Sequence, residues 1–229
     1  MSKYIYLTPW DSRALGIDTY EIIYESAEQL KQSLHQIQQE NKAGHYTVKI
    51  DPLASKRILH EFGFYYCDTM VEPYCTVEYF ISHVKEGIEL SQKVDFQTLL
   101  NICHGAFIHD RFHKDFNIER HLADIRYDLW LKDLWEAKQV FGLMYFDEVV
   151  GFWGFSKNKI VLHAMSERYR GKGLSKYFWS CACQALFEKK YTELVSSISI
   201  SNLAVLNLYA SLGFRFRRPV DVYHCLLGD

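Results

Sequence analysis

Ile160-Val161-Leu162-His163-Ala164-Met165, followed after two residues by Arg168-Tyr169-Arg170-Gly171-Lys172-Gly173 and then by Leu174-Ser175 opening an amphipathic run to Tyr191, reads as strand, glycine loop, helix. Two glycines one residue apart let the backbone turn sharply and approach a ligand. The following helix aims its unpaired first N–H groups and the positive end of its dipole at the same spot. Arg168, Arg170 and Lys172 add positive charge that suits a pyrophosphate better than a lone carboxylate. Taken alone, a Gly-x-Gly pair is an ordinary strand-to-helix turn with surface charges; a second motif downstream decides against that.

Two phosphate loops fit badly. The dinucleotide fingerprint needs a third glycine where this chain has Lys176, and the ATP-type loop needs Gly-Lys-Ser/Thr, which Gly171-Lys172-Gly173 does not supply. The second motif lies at Asn202, placed between a strand and a helix, with Tyr209 seven residues on. Two turns of helix bring both side chains to nearly the same face. Singly, Asn202 reads as an N-cap and Tyr209 as a buried aromatic.

Arg168-x-x-Gly171-x-Gly173, with Asn202, Val205, Leu208-Tyr209 and Gly213-Phe214 in that order, resembles the GCN5-related N-acetyltransferases, abbreviated GNAT. Val205 stands where the family has alanine. The resemblance implies a GNAT fold, a mixed and mainly antiparallel α/β sheet flanked by helices, with acetyl-CoA as co-substrate. It implies that Arg168, Tyr169, Arg170, Gly171, Lys172, Gly173, Leu174 and Ser175 hold the pyrophosphate. It further implies that Leu162, His163, Ala164 and Met165 run along the pantetheine arm, that Asn202 belongs to the cofactor site, and that Tyr209 points at the thioester sulfur.

An internal repeat organises the rest. Thr47-Val48-Lys49-Ile50-Asp51-Pro52-Leu53-Ala54 through Leu59 to Gly63-Phe64 aligns without gaps on Ser197-Ile198-Ser199-Ile200-Ser201-Asn202-Leu203-Ala204 through Tyr209 to Gly213-Phe214, each pair 150 positions apart. The first copy has no glycine loop and carries Pro52 and Leu59 in place of Asn202 and Tyr209. A degenerate GNAT-like domain over 1–90 and a catalytic one over 91–229 are therefore expected.

Composition limits the alternatives. Nearly half of the 229 residues are hydrophobic, and the formal charge of −2 argues against a nucleic-acid protein, whose affinity would need a basic face. No apolar run reaches membrane-spanning length and the start is polar, so no membrane and a cytoplasmic location are expected. The six cysteines form no Cys-x-x-Cys pair and have no matching histidine spacing, so no metal is expected.

In chain order, Tyr4–Leu7 and Thr19–Tyr24 read as strands interrupted by a break at Thr8–Ser12. Ala27–Asn41 reads as a helix, Tyr46–Ile50 as a strand, and a helix is expected to start at Asp51-Pro52 and end at Gly63. Helices over Asp95–Phe107 and Ile118–Trp135 flank the polar insert Asp110-Arg111-Phe112-His113-Lys114-Asp115, too mixed to be core. A hairpin at Gln139–Phe155, a strand at Leu194–Ile200, a helix at Leu203–Leu212 and a last strand at Val222–Leu227 complete the reading.

A closer resemblance rests on Leu7-Thr8-Pro9-Trp10-Asp11 with Gly16, Gly63-Phe64 with Asp68, Ala106-Phe107 with Arg111-Phe112, and the Asn202/Tyr209 pair. It is to the dTDP-fucosamine N-acetyltransferases, which acetylate the 4-amino group of a dTDP-linked dideoxyhexose. Pro9 and Leu208 depart from their pattern and leave the sugar and nucleotide open. The likeness implies a small-molecule amine, a dTDP-amino sugar, as partner, with a homodimer as the possible assembly. Arg111 is the candidate for the acceptor's diphosphate, His113 or Asp115 for its hydroxyls, with Asp68 nearby; a solvated loop is the other reading. Another small amine, an aminoglycoside, polyamine or peptide amine, is the alternative acceptor. An acyl-CoA binder without turnover is the alternative class.

Overall fold

The computed structural model describes residues 3–228. The chain forms two compact units. One comprises the residues up to Met70 with His109–Arg126 and those from Pro219; the other comprises Val71–Ile108 and Tyr127–Arg218. The division expected at residue 90 does not coincide with this one. The chain passes between units inside strands β4 (Tyr65–Thr76) and β11 (Arg215–Leu227), whose length a local reading misses.

In the first unit, β1 (Ile5–Leu7) pairs antiparallel with β2 (Thr19–Ile22), β2 pairs parallel with β3 (Gly44–Ile50), and β3 pairs antiparallel with β11. Helix α2 (Ala27–Glu40) starts where the Ser26 hydroxyl accepts the Gln29 N–H, and buries Leu30, Leu34 and Ile37 against Tyr20, Tyr46 and Val48 of the strands. Two local readings are corrected here. Thr8–Ser12 is not a break but part of helix α1 (Pro9–Leu15): Pro9 presets φ in the first turn, and Gly16 ends the helix at φ 69°. Asp51-Pro52 does not start a helix, because the Asp51 carboxylate accepts the Leu53 N–H two residues on and forms a turn. Helix α3 begins at Arg57 instead (Arg57–Glu61), and Leu53 is exposed.

The second unit is built on the order β4-β9-β8-β7-β6-β5. Strands β5 (Ile88–Ser91), β6 (Val140–Tyr145), β7 (Glu148–Ser156) and β8 (Lys159–Met165) form an antiparallel meander, and β9 (Glu193–Val195) pairs antiparallel with β4 and parallel with β8. Helix α4 (Phe96–Cys103) and the later turns of α5 (Arg120–Glu136) bury Leu99, Cys103, Leu131 and Leu134 on one sheet face with Leu162 and Ala164. Helices α6 (Ser175–Glu188) and α7 (Leu203–Ser211) pack Phe178, Trp179, Leu186 and Tyr209 on the other face with Ile160 and Met165. The expected strand Leu194–Ile200 is split: β9 stops at Val195, and β10 (Ile198–Ser199) pairs with β4 instead.

The 150-residue repeat persists in backbone hydrogen bonding. Phe62, Gly63 and Phe64 donate to Leu59 O, His60 O and Leu59 O at 3.2, 3.1 and 2.9 Å; Leu212, Gly213 and Phe214 donate to Tyr209 O, Ala210 O and Tyr209 O at 3.1 Å each. Gly63 and Gly213 hold φ of +77° and +83°, the left-handed close that each helix end requires.

Candidate active site

After Met165 the chain makes a 3-10 turn (Glu167–Tyr169), reverses through Gly171 and Gly173 at φ of +72° and +71°, and enters α6 with no acidic residue in its first turn. Nothing lies within 4 Å of where a Cβ would stand on either glycine, so the concave side of the loop is open to a ligand. The basic side chains are more tied than the sequence suggests. Arg170 Nε donates to Met165 O at 2.8 Å, lashing the loop to the end of β8. Glu148 accepts from Arg168 Nη1 at 3.1 Å and from the Tyr169 hydroxyl at 2.6 Å, and that hydrogen bond raises the Tyr169 phenol pKa. The Lys172 ammonium sits 5.2 Å from the centre of the Tyr169 ring.

Strands β8 and β9 are registered only at Lys159↔Val195. There Val195 N–H donates to Asn158 O and the Ser196 hydroxyl to Ile160 O at 2.9 Å; beyond that point the chain parts from β8 and continues beside β4, with Ser196 N–H donating to Pro73 O. Two parallel strands that separate leave backbone groups available to an amide-bearing ligand. The corresponding strands of the first unit, β2 and β3, stay in register over four consecutive pairs, Thr19↔His45 to Ile22↔Val48, and offer no such gap.

Strand alternation sends Leu162 and Ala164 to one face of β8, and His163 and Met165 to the other. On that second face His163 Nε2 lies 3.3 Å from the Tyr209 hydroxyl, and the His163 ring packs edge-on against Trp179 at 4.8 Å. Tyr209 is fully buried and leans on Phe214. Burial holds the His163 imidazole pKa down at about 4 and pushes the Tyr209 phenol well above its ordinary value, so both groups are neutral near pH 7. Asn202 caps α7, its Oδ1 accepting the Val205 N–H at 3.2 Å. The sequence points to Tyr209 and to the backbone of residue 163. The His163 side chain and Ser196 as neighbours of the site carry no local signal.

The four acceptor candidates lie in the first unit and are deeper than expected. Asp68 accepts from Lys114 Nζ at 2.6 Å. Arg111 packs over Phe112 and pairs with Asp11 at 3.7 Å; Arg126 Nε reaches the same carboxylate at 2.5 Å. His113 is clasped between Asp110 and Asp124. Burial opposes its charge, but those two carboxylates outweigh burial and raise its pKa. Asp115 is fully buried and contacts His45, His224 and Tyr65. In the polar insert Phe112 and Asp115 are buried and Asp110, Arg111, His113 and Lys114 half-buried, and each of its charges meets an opposite or hydrogen-bonding partner inside the unit.

Residues 106–214 match the acetyltransferase (GNAT) family. No curated protein matches the sequence significantly. Among solved structures, a GCN5-related N-acetyltransferase from Sphaerobacter thermophilus is similar over 98% of this chain and 76% of its own, with a TM-score of 0.67 at 12% identity. A tandem GNAT protein from the clavulanic acid biosynthesis pathway is similar over 92% of this chain and 76% of its own (TM-score 0.55, 8% identity). A GCN5-related glucosamine N-acetyltransferase region of a fungal multi-domain β-N-acetylglucosaminidase is similar over 91% of this chain and 30% of its own (TM-score 0.55, 13% identity). The fold is the GNAT fold. The protein is an N-acetyltransferase, and its acetyl donor is acetyl-CoA.

Proposed function

We propose that acetyl-CoA lies with its pyrophosphate on the Arg168–Ser175 loop and its pantetheine arm along Leu162–Met165, where β8 and β9 separate, and that the acetyl group passes to the amine of a nucleotide-linked amino sugar. The observation that carries the reading is the Tyr209–His163 pair on the inner face of β8, beside the single registered pair that joins β8 to β9. The amine nitrogen attacks the thioester carbon, the C–N bond forms, the C–S bond breaks, and the electron pair leaves on sulfur. An ordinary phenol is about 1.5 pKa units weaker as an acid than an ordinary thiol, roughly 2 kcal/mol against full proton transfer, and burial of Tyr209 widens that gap. Tyr209 therefore serves as a hydrogen-bond donor to the developing thiolate. A sugar amine flanked by oxygen-bearing carbons resembles an α-amino group of pKa about 8, so on the order of a tenth is neutral at pH 7 and a strong base is not required.

The amino-sugar acceptor is supported by the sequence resemblance over most of the chain and by the glucosamine acetyltransferase among the similar folds. The first unit, with its zipped β2–β3 pair and Leu59 in the Tyr209 position, is read as a degenerate copy that has no cofactor site. Thiol release from acetyl-CoA across a panel of amines tests the acceptor. Turnover confined to dTDP-amino sugars is the expected result, and equal turnover of simple polyamines overturns it.

A further inference from the structure

In the first unit His45 opens β3, His224 lies on β11, and their antiparallel register (His224↔Thr47, Leu226↔His45) makes them diagonal neighbours. Asp115 comes up from the His109–Arg126 segment between them. Its Oδ2 lies 2.9 Å from His45 Nε2 and 2.7 Å from His224 Nδ1, while its Oδ1 accepts from the Tyr65 hydroxyl and the Asn117 N–H, both at 2.9 Å. The two nitrogens and the carboxylate oxygen all lie within 4.8 Å of one another, and the three side chains are at most 1% exposed.

The geometry points to a buried divalent-metal site of the zinc class, with His45 Nε2, His224 Nδ1 and Asp115 Oδ2 as protein ligands. Two features support it. First, the neighbouring buried carboxylates face cations: Asp68 faces Lys114, and Asp11 faces Arg111 and Arg126. The hydrogen-bond partners of Asp115 among the described residues are imidazoles, a phenol and a backbone N–H. A carboxylate held out of water with no lysine or arginine among those partners is costly, and a divalent cation is a natural counter-charge. Secondly, the carboxylate is oriented as a ligand is. One oxygen is held by Tyr65 and the Asn117 amide, and the other is turned to the imidazoles, the outer-shell arrangement that fixes ligands on a metal. Tetrahedral ligation with bonds of about 2.0–2.1 Å sets donor atoms about 3.3 Å apart, so the nitrogens need retreat from Oδ2 by only roughly half an ångström. The ligands stand 70 and 109 residues from Asp115, so no sequence spacing signals them, and the expectation of no metal is replaced by this proposal.

The test uses the full chain without an affinity tag. Elemental analysis after dialysis against metal-free buffer is expected to find about one zinc per chain. Protein unfolded with chelator and refolded is expected to melt at a higher temperature with added Zn2+ than without, and Co2+ in place of zinc is expected to give tetrahedral absorption bands. His224→Gln and Asp115→Asn should lose the metal and the bands, Tyr65→Phe should weaken retention about 10- to 100-fold, and His121→Gln on the exposed surface should change nothing. Should the ligand variants fail to fold, the wild-type and Tyr65→Phe measurements decide. Metal-free wild type with no zinc-dependent melting shift overturns the proposal, as does full zinc occupancy in a folded His224→Gln.

Discussion

The Tyr209 hydroxyl and His163 Nε2 stand 3.3 Å apart, joining the helix after the Ser199–Asn202 turn to the strand before the glycine loop, and neither carries charge near neutrality. On the role proposed for Tyr209, a neutral phenol beside a neutral imidazole is positioned before any thiolate forms, the kind of preorganisation from which electrostatic catalysis gains most.

Tyr209→Phe removes that donor and keeps the ring. Turnover is expected to fall about tenfold to a thousandfold with little change in CoA affinity, since the lost hydrogen bond matters chiefly in the transition state. Steady-state kinetics beside calorimetric CoA binding checks this. Turnover within twofold of wild type in the chemical step, measured before the steady state, would sink the role.

Gly171→Val tests the loop. Because the Cβ would meet nothing in the free protein, the fold should survive with a backbone penalty of about 1–2 kcal/mol for a side chain at positive φ. The added methyl groups would stand on the open side of the cradle, and CoA affinity should drop at least tenfold by calorimetry.

His163 predicts an acid-side loss of stability. Its pKa is about 4 in the folded chain and about 6.5 when unfolded, so below pH 6.5 the unfolded chain binds a proton that the folded chain refuses. The contribution is whole above pH 6.5 and declines as pH falls toward 4. Urea midpoints from pH 7 to 5 should therefore fall more steeply in wild type than in His163→Gln; parallel slopes contradict it.

Gly213 and Gly63 share a conformation but not an environment. A Cβ on Gly213 would stand 1.9 Å from Tyr79 O, whereas one on Gly63 meets nothing within 4 Å. Gly63→Ala should cost about 1–2 kcal/mol from φ alone, and Gly213→Ala substantially more, by chemical denaturation.

Arg111 separates packing from substrate binding. With its guanidinium over Phe112 and near Asp11, Arg111→Ala should lower the melting temperature, and Asp11→Ala, which removes a buried carboxylate that two guanidiniums face, should cost about 3–5 kcal/mol. A raised acceptor KM with unchanged stability in Arg111→Ala would instead restore the diphosphate role.

The sequence by itself determined what depends on neighbours a few positions away. Gly171 and Gly173 announce a left-handed loop, Asn202 and Tyr209 share a helix face, and the copies ending at Gly63 and Gly213 close their helices with the same bonds, because turns, caps and helical periods are short-range geometry. Even there Asp51-Pro52 and Thr8–Ser12 mislead, since either a turn or a helix satisfies the same residues. Tertiary structure alone decided the split of Leu194–Ile200 at Val195, the docking of the His163 side chain on Tyr209, the pairing of the charges in the Asp110–Asp115 segment, and the convergence of His45, Asp115 and His224. Whether a charge is solvated or buried depends on a partner that arrives from a distant part of the chain, and no spacing along the sequence encodes that meeting.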